Sequence, residues 1–208
     1  MNEVEIGKVD RRLRRADTEQ RILDGTIELL DAGASLSWLS VNRIVEASGV
    51  SRATFYLHFA DKRQLVQRLG ETELYAFQAV TAGFLTDPQA GREVLAETVD
   101  ELVALWRSHA GVLSSLIALA EHDAESRETW QAIVHSVAAT VAPAVRERRP
   151  ELDEPMVLTL SEILVWTGER TMHQMVGHDS TDAQASRVAE GLTEAVWRIV
   201  APATSLAP

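Results

Sequence analysis

Eight residues between positions 40 and 62 combine donor chemistry with a spacing that gathers most of them on one surface: Ser40, Ser51, Arg52, Ala53, Thr54, Tyr56, His58 and Lys62. An arginine such as Arg52 can give two parallel hydrogen bonds to a guanine edge, and Thr54 can reach a base or a thymine methyl. Ala53 is small enough to let the backbone approach a partner surface. Tyr56, His58 and Lys62 supply a hydroxyl, an imidazole and an ammonium, donors better suited to phosphate oxygens than to base edges. Ser40 and Ser51 stand where helices begin, and a helix amino end carries partial positive charge that favours phosphate. Together these groups can grip and read duplex DNA.

Two short helices around a tight turn would position them. The first runs from the Ser40 cap to about Ala47, with Val41, Ile44 and Val45 on one apolar stripe. Ser48-Gly49-Val50 breaks it, and Gly49 can take the left-handed conformation that a sharp turn after a helix needs. Ser51 caps the second helix. Phe55 and Phe59 face inward at i, i+4, which leaves Arg52, Ala53, Thr54, Tyr56 and His58 outward. A short glycine-containing turn with such an outward face is the pattern of a helix-turn-helix. Upstream, Asp17 and Gln20 form a capping-box pattern that predicts the start of a first helix, carried by Leu23, Ile27 and Leu30 and ended by Gly33. Trp38, in the link that follows, reads as a packing residue. Residues 1–15 read as a mobile basic arm with Lys8, Arg11, Arg12, Arg14 and Arg15.

At Gly33, Ser40, Gly49-Val50-Ser51, Thr54-Phe55-Tyr56, His58-Phe59 and Lys62 with Leu65, the chain resembles the amino-terminal signature of the tetracycline-repressor (TetR) family. It departs at Val45, where that family usually has a small residue, and this predicts slightly looser packing of the two helices. The resemblance implies an all-α fold, with a three-helix DNA-binding domain over 16–65 and a larger helical effector-binding and dimerisation domain over 66–205. It also implies phosphate contacts from Tyr56, His58 and Lys62, pairing of the last two helices with those of a second copy, and repression as the usual outcome. One such module is too small to select an operator. The expectation is therefore a homodimer on a palindromic double-stranded site, with its recognition helices about one DNA turn, roughly 34–36 Å, apart.

The charge is divided accordingly. The chain of 208 residues carries a formal charge of −11, but residues 1–68 hold 11 Lys/Arg against 10 Asp/Glu, while residues 69–208 hold 9 against 21. DNA binding needs a local positive face rather than a basic whole, and the acidic remainder should stay off the phosphates. There is no cysteine, which excludes a disulfide framework, a thiolate metal site and a cysteine nucleophile. No apolar run reaches the ~18–20 residues of a membrane helix, and no signal-type segment is present, so a cytoplasmic protein without membrane attachment is expected.

Beyond Lys62 the pattern is helical throughout, giving about nine helices in all. Asp61 and Gln64 predict the start of a long helix to about Leu85, a natural lever from the DNA to the second domain. Asp87-Pro88 stops it. Later helices are expected around Leu95, Val99, Leu102 and Trp106; around Leu113, Ile117 and Ala120, after a break at Ser108 to Gly111; over about 124–149, with Pro143 kinking it or shifting its start; from Asp153-Glu154-Pro155 to a stop at Gly177; and over about 181–200. Trp106, Trp130, Trp166 and Trp197 fall on four different helices, and Phe77 and Phe84 lie on the lever. With Thr167 they are the candidate lining of an apolar effector pocket. The tryptophan spacing and Gly168-Glu169-Arg170-Thr171 resemble the ethionamide-activator repressor subfamily. Val165 to Gly168 lack the polar residues expected in that subfamily's pocket, so its ligand class is not carried over.

Two rival classes stand against this reading. An enzyme has little support: there is no phosphate loop, no serine elbow and no catalytic set, and the six histidines are scattered, with Glu121-His122-Asp123 only a fragment of a metal site. No metal or cofactor is expected. A DNA-binding protein of the same fold without a small-molecule effector, whether activator or architectural, is the other alternative.

Overall fold

The computed structural model describes residues 3–36, 38–177 and 179–201, with the side chains of residues 3–12 and 74 outside that description. Among the described residues every regular element is helical: α1 (Glu3–Asp31), α2 (Val41–Ser48), α3 (Arg52–His58), α4 (Lys62–Thr86), α5 (Arg92–Ser108), α6 (Ala110–His122), α7 (Ala124–Arg148), α8 (Glu154–Met175) and α9 (Asp182–Val200). The chain divides into two compact units, residues 1–69 and 70–208.

In the first unit, α1 starts at Glu3 rather than at Asp17. Residues 3–16 contain Glu, Lys, Arg, Leu and Ala, all good helix formers, and no proline, so nothing stops the helix from extending backwards. Gln20 consequently bonds Asp24 within the helix, at 2.8 Å, instead of closing a capping box. Gly33 ends the helix at a φ of 88°, as expected. Leu23 and Leu30 of α1, Ile44 of α2, Phe55 and Phe59 around α3, and Leu65 of α4 are buried together with Leu36 and Leu39 from the connecting link.

The turn between α2 and α3 is held by three devices. Gly49 adopts the left-handed conformation, with φ 63° and ψ 32°. The Arg21 guanidinium donates to the carbonyls of Ser48 and Gly49 at 3.1 and 3.0 Å, satisfying groups that a helix end leaves open. The backbone of α1 also comes unusually close to α2 at Gly25, where an added Cβ would lie 2.8 Å from the Ser48 nitrogen and Oγ. Ser48 is buried and donates to the Ile44 carbonyl at 2.6 Å.

The second unit packs α7 against α6 and α8, and α5 and α8 against α9. Its helix starts are explicit. Asp123, Asp153 and Thr181 accept from the backbone N–H groups of Ser126, Met156 and Gln184, and Thr181 with Gln184 completes a capping box. Pro143 lies inside α7, which is one helix from Ala124 to Arg148. The core includes Leu95, Val99, Leu113, Val145, Val157, Leu164 and Leu192. No single helix among the described residues is long and apolar enough to cross a membrane. Only α5 and α6 taken together, bent by 77°, meet that length and composition, and their apolar residues are largely buried in this core.

Gly25→Ala puts a methyl where backbone already stands and should destabilise the first unit by about 1–3 kcal/mol. Thermal and urea unfolding of the variant check this; an unchanged midpoint would show that α1 and α2 can separate freely.

Candidate functional site

The outward face of α3 is built on a rigid base. Phe55 is fully buried and its ring meets those of Phe59 and Tyr56 at 5.6 and 5.4 Å, so the helix cannot roll without losing its anchor. Ser51 accepts from the Thr54 N–H at 3.0 Å and its hydroxyl lies 2.8 Å from the Thr54 hydroxyl, which fixes both residues at the helix amino end. Ser40 accepts from the Arg43 N–H at the start of α2. Arg52, Ala53 and Tyr56 are exposed, and Thr54 is half-buried.

Arg52 is pre-oriented. It donates to the Asn42 side-chain oxygen at 3.0 Å and to the Tyr56 hydroxyl at 3.4 Å, and its guanidinium carbon lies 5.6 Å from the Tyr56 ring centroid. Ser51, Arg52, Thr54 and Tyr56 are thus brought together, and Asn42, which the sequence analysis did not single out, joins them from α2. Lys62 and His58 differ from the rest. The Lys62 ammonium donates to the Leu36 carbonyl at 2.9 Å, tying the start of α4 to the α1–α2 link. His58 is half-buried, with an inward Nδ1 that has no hydrogen-bond partner.

Two exposed apolar side chains stand on the same unit. Trp38 is 89% exposed, which overturns its assignment to packing. Leu36 and Leu39 fill the space beneath the link, and the larger ring between them is turned out. Leu57 is 75% exposed on α3. A leucine outside the Phe55/Phe59 stripe was the available signal for a surface position suited to a thymine methyl.

The second unit contains a cavity of about 210 Å³ whose lining includes Phe77, Phe84, Trp106 and Trp130. The Phe77 and Trp106 rings meet edge to face at 5.9 Å. Trp166, Thr167 and Trp197 stand outside this cavity, contrary to their assignment as candidate lining. Helix periodicity gives the reason. The α8 residues that line the cavity are Leu164, Val165, Gly168, Glu169 and Met172, and those of α9 are Leu192, Val196 and Val200. At about 100° per residue, 166, 167 and 197 point away from those stripes.

Charged residues reach the cavity as well. Glu73 and Glu169 are only 3% and 6% exposed, and Arg148 is buried. Glu73 was legible, because it interrupts the i, i+4 row Leu65, Leu69, Phe77. Its Oε2 lies 2.8 Å from Nδ1 of His109. Arg148 donates to the carbonyls of Phe84 and Asp87 at 2.8 and 2.6 Å. Burial pushes the Glu169 carboxyl above its ordinary value, with Arg170 opposing and Glu121 adding to the rise. Burial lowers His173, helped by Arg170. The Glu121-His122-Asp123 triplet is used locally: His122 Nδ1 lies 2.8 Å from the Ala118 carbonyl, and Asp123 caps α7. No cluster of three or more potential metal ligands occurs among the described residues.

Known proteins agree with this geometry. Residues 22–69 match the model for bacterial regulatory proteins of the tetR family. A curated relative, the HTH-type transcriptional regulator EthR of Mycolicibacterium smegmatis, is 25% identical over 188 residues, covering 87% of this chain and 84% of its own. Among solved structures, Salmonella enterica GusR aligns with a TM-score of 0.72 at 16% identity, covering 88% of this chain and 95% of its own. The regulator FadR from Bacillus subtilis, solved in complex with stearoyl-CoA, aligns with a TM-score of 0.68 at 17% identity, covering 84% and 95%. The proteins this chain resembles are helix-turn-helix transcriptional regulators, not enzymes. The match to the tetR-family model is confined to the amino-terminal module, over residues 22–69.

Because the raised Glu169 pKa means that the folded state favours the protonated carboxyl, its favourable contribution is complete below the ordinary carboxylate range and is lost as pH rises through the elevated value. Glu169→Gln should therefore raise the melting temperature at pH 7–8 and lose that advantage near pH 4. Melting curves of both proteins across this range test it, and a pH-independent difference would contradict the assignment.

Proposed function

We propose that this chain is a homodimeric repressor that holds a palindromic operator through two copies of α3 and releases it when a small, largely apolar effector fills the second unit's cavity. The observation that carries the DNA half is the outward face of α3, where Arg52, Ala53, Tyr56 and Leu57 are exposed above buried Phe55. Arg52 reads a base edge and Thr54 or Leu57 a thymine methyl. Ser40, Ser51, Tyr56, His58 and Lys62 hold phosphates.

Two features support a dimer. Helix α8 exposes Met156, Leu158, Ile163 and Met175, apolar surface that self-association would cover. On α9, exposed Gly191 and Ala195 are small enough for a second helix to approach closely. A two-fold dimer matches a palindromic site with recognition helices about 34–36 Å apart.

Release is proposed to run through α4, which begins at Lys62 and contributes Phe77, Thr81 and Phe84 to the cavity. An effector that prefers one arrangement of these walls favours one setting of α4 in each protomer. Operator affinity falls by the effector's differential affinity for the two states. FadR's complex with stearoyl-CoA supports effector binding within this fold.

Selection of bound sequences from random duplex DNA tests the reading, with one palindromic motif expected. Arg52→Ala should flatten preference at one position per half-site, by about 1–3 kcal/mol, while Tyr56→Phe should weaken all sequences alike. An unaltered profile for Arg52→Ala would remove its base-reading role. Ile163→Arg should give monomers in sedimentation and lose most operator affinity; a dimer unaffected by it would move the interface off α8.

A further inference from the structure

We propose that the cavity in the second unit is built for a small amphiphile bearing a protonated amine, whose apolar body lies among the aromatic walls and whose ammonium pairs with the Glu169 carboxylate. This rests on the reading of that cavity as the effector site and names the chemical class it takes.

The lining is apolar except at a few points, and those points are unbalanced in charge. Two carboxylates, Glu73 and Glu169, and one guanidinium, Arg148, contribute to it. Arg148 is committed to the protein: it donates to the Phe84 and Asp87 carbonyls at 2.8 and 2.6 Å, and its guanidinium carbon stacks 4.2 Å over the Phe84 ring. It ties α7 to the end of α4 and has little left to offer an acidic ligand. Glu73 has a close neighbour, its Oε2 standing 2.8 Å from His109 Nδ1, an ion pair when that imidazole is protonated.

Glu169 is different. It is buried, yet neither carboxylate oxygen has a hydrogen-bond partner. Beside it lies Arg170, whose Nε is 3.9 Å from Oε2, too long for a hydrogen bond, while another nitrogen of the same guanidinium is 3.9 Å from Glu121. A buried carboxylate without partners carries its desolvation cost uncompensated, and a cation entering the cavity relieves that cost. Room exists for one. Gly168 adds no side chain next to Glu169, and a Cβ built there would approach nothing closer than the Met172 methyl at 3.9 Å. A carboxylate or phosphate ligand would instead meet two acids and a guanidinium already in use.

Size narrows the class further. The cavity's volume of about 210 Å³ lies below the ~300–1,000 Å³ of common ligand pockets, so a compact body fits better than a long chain.

Three compounds with one body and different heads test the proposal on the full-length protein: 4-phenylbutylamine, 4-phenylbutan-1-ol and 4-phenylbutanoate. Calorimetric titration should rank the amine at least about tenfold above the alcohol, with the acid weakest. In Glu169→Gln the amine's advantage should disappear while the alcohol binds as before, which also shows that the cavity has formed. An alcohol or acid that binds wild type as tightly as the amine overturns the proposal, and so does an amine preference that survives Glu169→Gln. The wild-type ranking decides even if the variant does not fold. If the alcohol or acid binds and releases operator DNA, only the amine assignment fails; if none of the three binds, the effector reading of the cavity falls with it.

Discussion

Where α1 crosses α2, the missing side chain of Gly25 lets the backbone of Ser48 come within the distance at which any Cβ would clash. The turn that leads into α3 depends on that approach. It brings Arg21 within reach of the Ser48 and Gly49 carbonyls, so a cation closes the end of α2 where partial negative charge gathers. With that end closed and Gly49 in its left-handed conformation, the chain reverses in a fixed direction, and Ser51 starts α3 at a fixed angle. Phe55 then only has to hold the roll of the helix. The exposed donors are precise because the groups behind them have no alternative arrangement.

The second unit follows an opposite principle. Its helices close around a core that is deliberately incomplete, and charged groups stand in the space that apolar side chains would otherwise fill. Arg148 is fully satisfied there and works as a strut. Glu169 is not satisfied, and burial moves its carboxyl towards the neutral form. Stability and responsiveness therefore compete at one residue. A core perfected for packing would have no buried acid at this position.

Much of this was legible in the chain because it is local. Ser40, Gly49, Ser51, Phe55 and Phe59 specify caps, a turn and an anchored face within twenty residues, and each behaves as its type and spacing suggest. What failed depended on distant contacts. Trp38 was assigned to packing because large rings are usually buried, yet Leu36 and Leu39 occupy the space below it. The start of α1 was misjudged because a capping-box pattern carries meaning only where the helix is already broken. Four aromatics do meet at one cavity, but Trp166 and Trp197 do not, since membership depends on the rotation of α8 and α9, which no single helix records. Glu73 interrupts an apolar row, and Glu169 falls in the Gly168–Thr171 stretch, yet the burial of either acid depends on how neighbouring helices pack.

The orientation of Trp38 gives the molecule an optical asymmetry. It is the sole tryptophan of the first unit, and its indole is open to solvent; the other four belong to the second unit, with Trp106 sealed in the core beside the cavity. Emission from a hydrated indole lies to the red of emission from a buried one, so Trp38 and Trp106 stand at opposite ends of the chain's emission. A change in the surroundings of Trp38 therefore registers on the red side of the spectrum, and one at Trp106 on the blue side.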